Sequence, residues 1–140
     1  MIIKKISKDS FQLYGKVIEY PNKERAAKKT NLFYIVLNEP KKVGWRIAYL
    51  ALRDKSIDRL EQHPGSFESF EPIKGRTILF VAKSKNPARI AAFLLDKPII
   101  LNKGIWHGVV TLGIESEIKI TENNQVSCIF WQIPAKLPLK

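Results

Sequence analysis

The sequence predicts a mainly β domain, a sandwich or jelly-roll barrel with little helix. Short runs of β-branched and aromatic residues recur at regular spacing along the chain. Glycine, proline and asparagine fall between these runs, where tight turns need them. The length of 140 residues suits a single domain, and no linker or internal repeat divides residues 1–140.

The first third of the chain is predicted to contain short strands and one helical turn. The predicted strands are Ile2–Ile6, a second strand from Val17, and Leu32–Leu37. Between the first two, Ser10 or Asp9 can cap a single turn of helix before Gly15 ends it. The polar residues 22–31 are predicted to form a loop or a short exposed helix.

Strands are also predicted through the middle and the end of the chain. They are Trp45–Leu52, Thr77–Ala82, Pro98–Leu101, Ile105–Leu112, Ser116–Thr121 and Gln125–Ile133. The segment from Glu61 to Gly75 is predicted as a strand, a turn at Pro64-Gly65 and a second strand. Helix by propensity and strand by context both remain open for Ala88–Leu95.

Two features near the end of the chain carry further expectations. Asn123-Asn124 is a signal for a type I′ hairpin that would join the last two strands. The tail from Pro134 to Lys140 is predicted to fray or to pack on a neighbour.

Composition argues against a disordered or membrane-spanning chain. The sequence is 45% hydrophobic and 26% charged, and no apolar run approaches the length of a bilayer-spanning helix. The first residues lack the apolar stretch and cleavage site of a secretory signal, so we expect a cytoplasmic protein. Its single cysteine, Cys128, cannot form an intramolecular disulfide and is predicted to be a small buried hydrophobe.

The net charge of +11 favours anionic partners. The basic residues are spread from end to end, however, and their pairs are short. No recognition helix or aromatic RNA-binding signature accompanies them, so nucleic acid is not the favoured partner. A small anionic substrate is an alternative explanation of the charge.

The strongest chemical signal lies at two points of the sequence. Glu61 and His63 are two residues apart and share a face of an extended strand, and Glu68 follows the turn. The other histidine, His107, follows a glycine turn at Gly104. If these points meet in a barrel, two imidazoles and a carboxylate can hold a divalent metal or do acid–base chemistry. A solvated acidic rim with two structural histidines is the alternative.

These residues also carry a resemblance to a known superfamily. The spacing His63-x4-Glu68-x6-Gly75, followed by Gly104-x2-His107, resembles the two motifs of the cupins. Glu61 stands where many cupins have the first histidine of the first motif, and Thr111 where the second motif often has asparagine. The resemblance implies a cupin-type (RmlC-like) jelly-roll, a double-stranded β-barrel.

A narrower resemblance points to the ureidoglycolate lyase family, also known as ureidoglycolate hydrolase. The similar segments are Phe11-x2-Tyr14-Gly15-x-Val17-Ile18-Glu19, Leu60-Glu61-x-His63-Pro64, Glu68-x-Phe70-x-Pro72-x-Lys74-Gly75 and Gly104-Ile105-Trp106-His107. Departures occur at Glu68, where the family usually has glutamine, and at Asn102-Lys103, where it usually has His-Arg. A second histidine and a proline that usually follow the Trp-His pair are replaced by Gly108 and Val109.

The family resemblance implies a carbon–nitrogen lyase of the amidine-lyase type that releases urea and glyoxylate from ureidoglycolate. The implied metal ligands are His63, Glu68 and His107, and Glu61 or Glu68 would act as the base. The expected substrate-binding residues are Lys74, Asn102, Lys103 and Trp106. The implied cofactor is a divalent metal such as nickel, manganese or zinc, with no organic cofactor.

The expected partners are a small anionic substrate and a second copy of the chain in a homodimer. Two alternatives to the lyase stay open. One is a non-catalytic cupin that binds a small anionic or sugar-derived ligand, and the other is a basic barrel that binds nucleic acid.

Overall fold

The protein forms two mainly antiparallel β-sheets in a computed structural model that describes residues 1–21, 25 and 27–138. The elements are β1 (Ile3–Lys5), α1 (Lys8–Phe11), β2 (Gly15–Val17), β3 (Trp45–Leu52), β4 (Ile57–Gln62), β5 (Glu68–Lys74), β6 (Thr77–Ala82), β7 (Ala91–Leu94), β8 (Ile99–Leu101), β9 (Trp106–Thr111), β10 (Ser116–Asn123) and β11 (Ile129–Leu137). In this part of the chain, no helix is long and apolar enough to cross a membrane.

The strand pairing is that of a jelly roll. β6 pairs with β7, β5 with β8, β4 with β9, and β3 with β10. The pairs are nested, as in one long hairpin folded over on itself. Its arms alternate between a six-stranded sheet, ordered β1-β7-β6-β9-β4-β11, and a five-stranded sheet, ordered β2-β8-β5-β10-β3. The predicted mainly β barrel with little helix is confirmed.

Two apolar clusters fix the layers of the barrel. The first draws buried residues from both sheets, such as Phe70, Leu79 and Ile118, so it fills the space between them. The second contains residues of the six-stranded sheet only, such as Leu60 and Phe80, and lies on that sheet's other face. We call this second group the outer cluster. Side chains of β4 and β9 therefore alternate between the outer cluster and the barrel interior.

The strand predicted at Leu32–Leu37 is wrong. These residues form no ladder in the structure, and Phe33 is 89% exposed. The Lys16 side chain donates a hydrogen bond to the Val36 carbonyl, and the Tyr20 and Tyr34 rings lie edge to face. Aromatic and β-branched residues favour strands only where neighbouring strands pair with them, and no described strand pairs with this segment.

The predicted hairpin at Asn123-Asn124 is also wrong. β10 belongs to the five-stranded sheet and β11 to the six-stranded sheet, so the connection crosses between sheets. No non-glycine residue among those described has the positive φ that a type I′ turn requires. The tail is ordered through Leu137 rather than frayed, with Pro134 on the edge strand β11, where a missing N–H is tolerated.

Two local predictions are resolved by the structure. Ser7, rather than Ser10 or Asp9, caps α1, and it exchanges hydrogen bonds with Ser10 in a capping box. The choice between helix and strand for Ala88–Leu95 is resolved in favour of strand, since Ala91–Leu94 forms β7. The predicted loop at 22–31 lies partly outside the described residues.

Candidate active site and metal centre

The four predicted site residues meet at one end of the barrel. Glu61 lies on β4 directly opposite His107 on β9. His63 follows β4 by one residue, and Glu68 is the first residue of β5. The two sequence motifs therefore converge although about forty residues separate them.

A glycine turn connects the two motifs. Gly104 has φ +79°, a left-handed conformation that suits glycine. Its N–H donates a hydrogen bond to the carbonyl of His63 at 3.1 Å. The turn that leads into β9 is thus attached to the segment carrying the first imidazole.

The imidazoles and carboxylates approach at distances suited to a shared cation. His107 Nε2 lies 3.0 Å from Glu68 Oε1, and His63 Nε2 lies 3.6 Å from the same oxygen. One donor atom from each of these three residues falls within 4.8 Å of the others. Ligands at about 2.0–2.2 Å from a metal lie about 3 Å apart when adjacent, so this spacing fits a metal centre.

Glu61 lies on the cavity side of the same group. Its Oε1 is 3.4 Å from His63 Nε2 and 3.6 Å from His107 Nε2. The Glu61 side chain is 35% exposed, whereas those of His63, Glu68 and His107 are buried. Glu61 is therefore the one predicted carboxylate that an incoming substrate can reach directly.

Both imidazoles are held in the tautomer that a metal ligand needs. His63 Nδ1 lies 3.2 Å from the Ser127 carbonyl, and His107 Nδ1 lies 3.1 Å from the Ile105 carbonyl. A carbonyl oxygen only accepts, so each Nδ1 carries its proton and donates. In the neutral imidazoles, the Nε2 atoms that face the carboxylates are then free to bind a cation. The Phe70 ring packs edge to face on His107 and limits its rotation.

Sequence reasoning missed a third carboxylate of the cluster, the buried Glu122 on β10. It lies opposite Glu68 on one side and Arg46 of β3 on the other. Arg46 donates from Nε and Nη2 to Glu122 Oε2 at 2.9 and 2.7 Å. A signal was present, because Glu122 occupies the inward-facing position that Ile118 and Ile120 predict for this strand.

When the imidazoles are neutral, two carboxylate oxygens at the cluster are buried without a hydrogen-bond donor among the described residues. They are Glu68 Oε1 and Glu122 Oε1. Glu122 Oε1 lies 3.7 Å from His63 Nε2, so it faces the same group of donor atoms. Buried carboxylates without donors are costly unless a cation compensates them, which suits a metal centre.

The charges of the cluster shift one another's pKa values. Burial lowers the pKa of His107, but the carboxylates of Glu61 and Glu68 outweigh it and raise that pKa to about 10. Contacts with His107 and His63 hold the pKa of Glu61 well below its usual value. Burial raises the pKa of Glu122, the nearby Glu68 charge adds to the effect, and Arg46 opposes it.

A cavity of about 620 Å³ opens onto the cluster between the two sheets. Glu61, Glu68 and His107 lie in its wall together with Arg59 and Lys136. The Arg59 guanidinium lies 4.4 Å from the centre of the Phe130 ring, and the ion pairs among the described residues do not include it. The cavity thus pairs an acidic cluster with a free cation.

The structure does not bring the predicted substrate-binding lysines to this cavity. Lys74 ends β5, about 20 Å from Glu68 at the usual rise of a strand, and is exposed. Lys103 forms a 2.6 Å ion pair with Glu39 and lies over the Phe67 ring. The charge of Lys74 is therefore about one strand length from the cavity. The charge of Lys103 is already paired with Glu39.

The other two predicted substrate residues also lie away from the main cavity. Trp106 is buried in the outer cluster, and its indole N–H donates to the Ser84 carbonyl at 2.9 Å. It alternates with His107 along β9 and faces the opposite way. Asn102 borders a small gap behind His63 and His107.

Cys128 is exposed, so the prediction of a buried cysteine is wrong. It lies in the connection that carries the chain from β10 to β11, outside both apolar clusters. Its Sγ is 3.6 Å from His63 Nδ1.

A folded-over hairpin of antiparallel strands, with histidines and glutamates gathered inside one end, defines a cupin-type barrel. The solved structure of CapF, a capsular polysaccharide assembling protein from Staphylococcus aureus, shares this fold at TM-score 0.53 and 14% identity, over 76% of this chain and 34% of that one. A Bacillus subtilis oxalate decarboxylase aligns at TM-score 0.48 and 17% identity, over 62% of this chain and 24% of the other.

The sequence profile described as "Ureidoglycolate lyase" matches residues 1–127, so the chain belongs to the ureidoglycolate lyase family. A relative named "Ureidoglycolate lyase" from Rhizobium leguminosarum bv. trifolii (strain WSM2304) is 28% identical over 88 residues. That alignment covers 56% of this chain and 53% of the relative, so it spans about half of the relative's length.

Proposed function

We propose that this protein is a ureidoglycolate lyase, or acts on a closely related small 2-hydroxy acid. The reaction splits the bond between the hydroxyl-bearing carbon and the ureido nitrogen, giving glyoxylate and urea. The observation that carries the proposal is the convergence of two imidazole Nε2 atoms with carboxylates at the wall of a substrate-sized cavity. Membership of the family supports the choice of substrate.

The residues that would hold a divalent metal are His63, Glu68 and His107, with Glu61 beside them. Their fit rests on the Nδ1 hydrogen bonds, which leave both Nε2 atoms free, and on the buried Glu68 oxygen without a donor. A bound divalent ion lowers the pKa of a hydroxyl that it contacts and fixes its orientation. Nickel, manganese and zinc are all compatible with this set of nitrogen and oxygen donors.

Glu61 is our choice for the residue that takes the proton of the substrate hydroxyl. It is ionised at neutral pH, and it is the predicted carboxylate that solvent reaches. When the hydroxyl loses its proton, the C–O bond becomes the carbonyl of glyoxylate. The C–N bond breaks with its electrons passing to nitrogen, which takes up a proton and leaves as urea.

Arg59 is our choice for binding the substrate carboxylate. It lies two residues from Glu61 on the same face of β4 and lines the cavity. A guanidinium can bind a carboxylate through two parallel hydrogen bonds, and the Phe130 ring supports its plane. Arg59 thereby takes the role that the sequence suggested for Lys74 and Lys103.

We propose further that the protein is a homodimer joined through the outer face of the five-stranded sheet. Trp45, Ile47 and Tyr49 alternate along the edge strand β3 and are 69%, 54% and 59% exposed. Exposed apolar residues in such a row are typical of an interface between chains. Sedimentation of the protein and of a Trp45→Glu variant tests this, because the charged variant should be monomeric.

The function is tested by measuring glyoxylate and urea released from ureidoglycolate by chelator-treated protein, with and without added nickel, manganese or zinc. We expect equal amounts of both products, loss of turnover in His107→Ala, and wild-type turnover in Glu117→Gln, whose carboxylate accepts a hydrogen bond from the exposed Tyr49 side chain. Saturable metal binding with no product from ureidoglycolate or other 2-hydroxy acids would instead indicate a cupin that only binds its ligand.

A further inference from the structure

A row of three charged side chains crosses the five-stranded sheet at the site. Arg46 on β3, Glu122 on β10 and Glu68 on β5 are direct cross-strand neighbours. Side chains in such positions have Cβ atoms about 5 Å apart, and like charges there are unfavourable. Glu122 and Glu68 are nevertheless adjacent and buried, so a positive charge on their free sides stabilises the pair.

Arg46 forms hydrogen bonds with only one of the two oxygens of the Glu122 carboxylate. Both of its hydrogen bonds go to Oε2, and the Glu122 side chain is only 7% exposed. Oε1 has no donor among the described residues and is directed toward His63 Nε2 at 3.7 Å. The guanidinium thus fixes the carboxylate with one oxygen presented to the imidazole and carboxylate donors.

We infer that Glu122 Oε1 is a further donor of the metal centre, held in place by Arg46, and that it directs the site toward oxygen-preferring ions such as Mn²⁺. The inference rests on the proposed metal centre and deepens it. With Glu122, the protein donors comprise two imidazole nitrogens and two carboxylate oxygens, and oxygens of a bound substrate would bring the set to five or six. That set suits a five- or six-coordinate ion, whereas Zn²⁺ is satisfied by four donors and does not need Glu122.

The test is a titration of chelator-treated protein with MnCl₂ and, separately, ZnCl₂, followed by calorimetry and, for manganese, by the loss of the free-ion EPR signal. Glu122→Gln keeps the shape of the side chain and removes its charge. We expect Mn²⁺ affinity to fall about tenfold or more, the range typical of lost supporting groups, while Zn²⁺ affinity changes less than about threefold. Arg46→Met should also weaken Mn²⁺ binding, because Glu122 loses the group that orients it.

Glu117→Gln is the matched control, since it removes a carboxylate from the same strand at an exposed hydrogen bond with Tyr49. Its affinity for both ions should equal that of the wild type, and unfolding curves verify that all variants fold. Equal Mn²⁺ affinity in Glu122→Gln and wild type overturns the role of Glu122 and leaves the metal centre standing. A folded wild type that binds neither ion overturns the metal centre itself, and this inference with it.

Discussion

Replacing Gly104 by alanine tests how the turn before β9 supports the site. Its φ of +79° is a conformation that costs an L residue about 1–2 kcal/mol. An added Cβ would lie 3.3 Å from Ser84 Oγ, a contact that a small shift of the serine side chain relieves. Backbone strain is therefore the main term, and we expect the free energy of unfolding to fall by about 1–2 kcal/mol.

Gly113→Ala is the matched control for this substitution. Gly113 does not have a positive φ, and an added Cβ there meets no atom within 4 Å. Alanine at such a position leaves stability unchanged or raises it by about 0.4–1 kcal/mol, because the unfolded chain loses freedom. Urea unfolding followed by tryptophan fluorescence measures the free energy of unfolding of both variants. In thermal unfolding, each kcal/mol should shift the melting temperature by about 3–5 °C.

The same substitution has a predicted effect on the site. The Gly104 N–H donates to the His63 carbonyl, so a turn that moves to relieve strain also moves the first imidazole relative to the second. Gly104→Ala should therefore weaken Mn²⁺ binding although no donor atom is changed, and Gly113→Ala should not. Equal stability and equal metal affinity for the two variants would refute the reasoning, since it would mean that the turn tolerates a side chain freely.

Three further predictions test the charges and the core. The pKa of His107 is raised from 6.5 to about 10 in the folded protein, so its contribution to the stability of chelator-treated protein is present below pH 6.5 and lost as the pH rises toward 10. Thermal unfolding across that window should show a falling midpoint, and a flat profile would contradict the assigned charge. Arg59→Met should raise KM for ureidoglycolate well above that of Arg59→Lys, with unfolding changed by less than about 0.5 kcal/mol for this exposed side chain. Leu60→Ala should cost about 2–5 kcal/mol in urea unfolding, because Leu60 is 0% exposed in the outer cluster.

The fold could be predicted where sequence pattern and strand pairing agree. Thr77–Ala82 and Trp45–Leu52 are strands at the predicted residues, because each has strands on which its side chains pack. Leu32–Leu37 has the same composition and forms no strand, since composition reports suitability for a sheet and not the presence of a neighbour. The hairpin prediction at Asn123-Asn124 was wrong for a related reason. The turn signal is a local property of the sequence, whereas the sheet that the next strand joins is decided by distant residues.

The candidate site could likewise be predicted only in part from the sequence. The spacing of Glu61, His63 and Glu68 placed three of its groups, and the glycine turn placed His107. Glu122 was missed because its neighbours in the row are more than fifty residues away in sequence and are joined only by cross-strand register. The lysines that the sequence suggested for substrate binding do not line the cavity, since a lysine near a motif in sequence can lie a whole strand length from it in space.

The net charge of the protein is positive, whereas the cluster at its candidate site is negative when both imidazoles are neutral, and the proposed function accounts for both. A net charge of +11 attracts small anions from solution. The cluster itself, however, carries the carboxylates of Glu61, Glu68 and Glu122 with Arg46 as their permanent cation, which leaves two negative charges when both imidazoles are neutral. An anionic substrate would be repelled by those charges at short range. A divalent cation on the two Nε2 atoms cancels them, so the surface that collects the anion and the acidic cluster beneath it are compatible once the ion is bound.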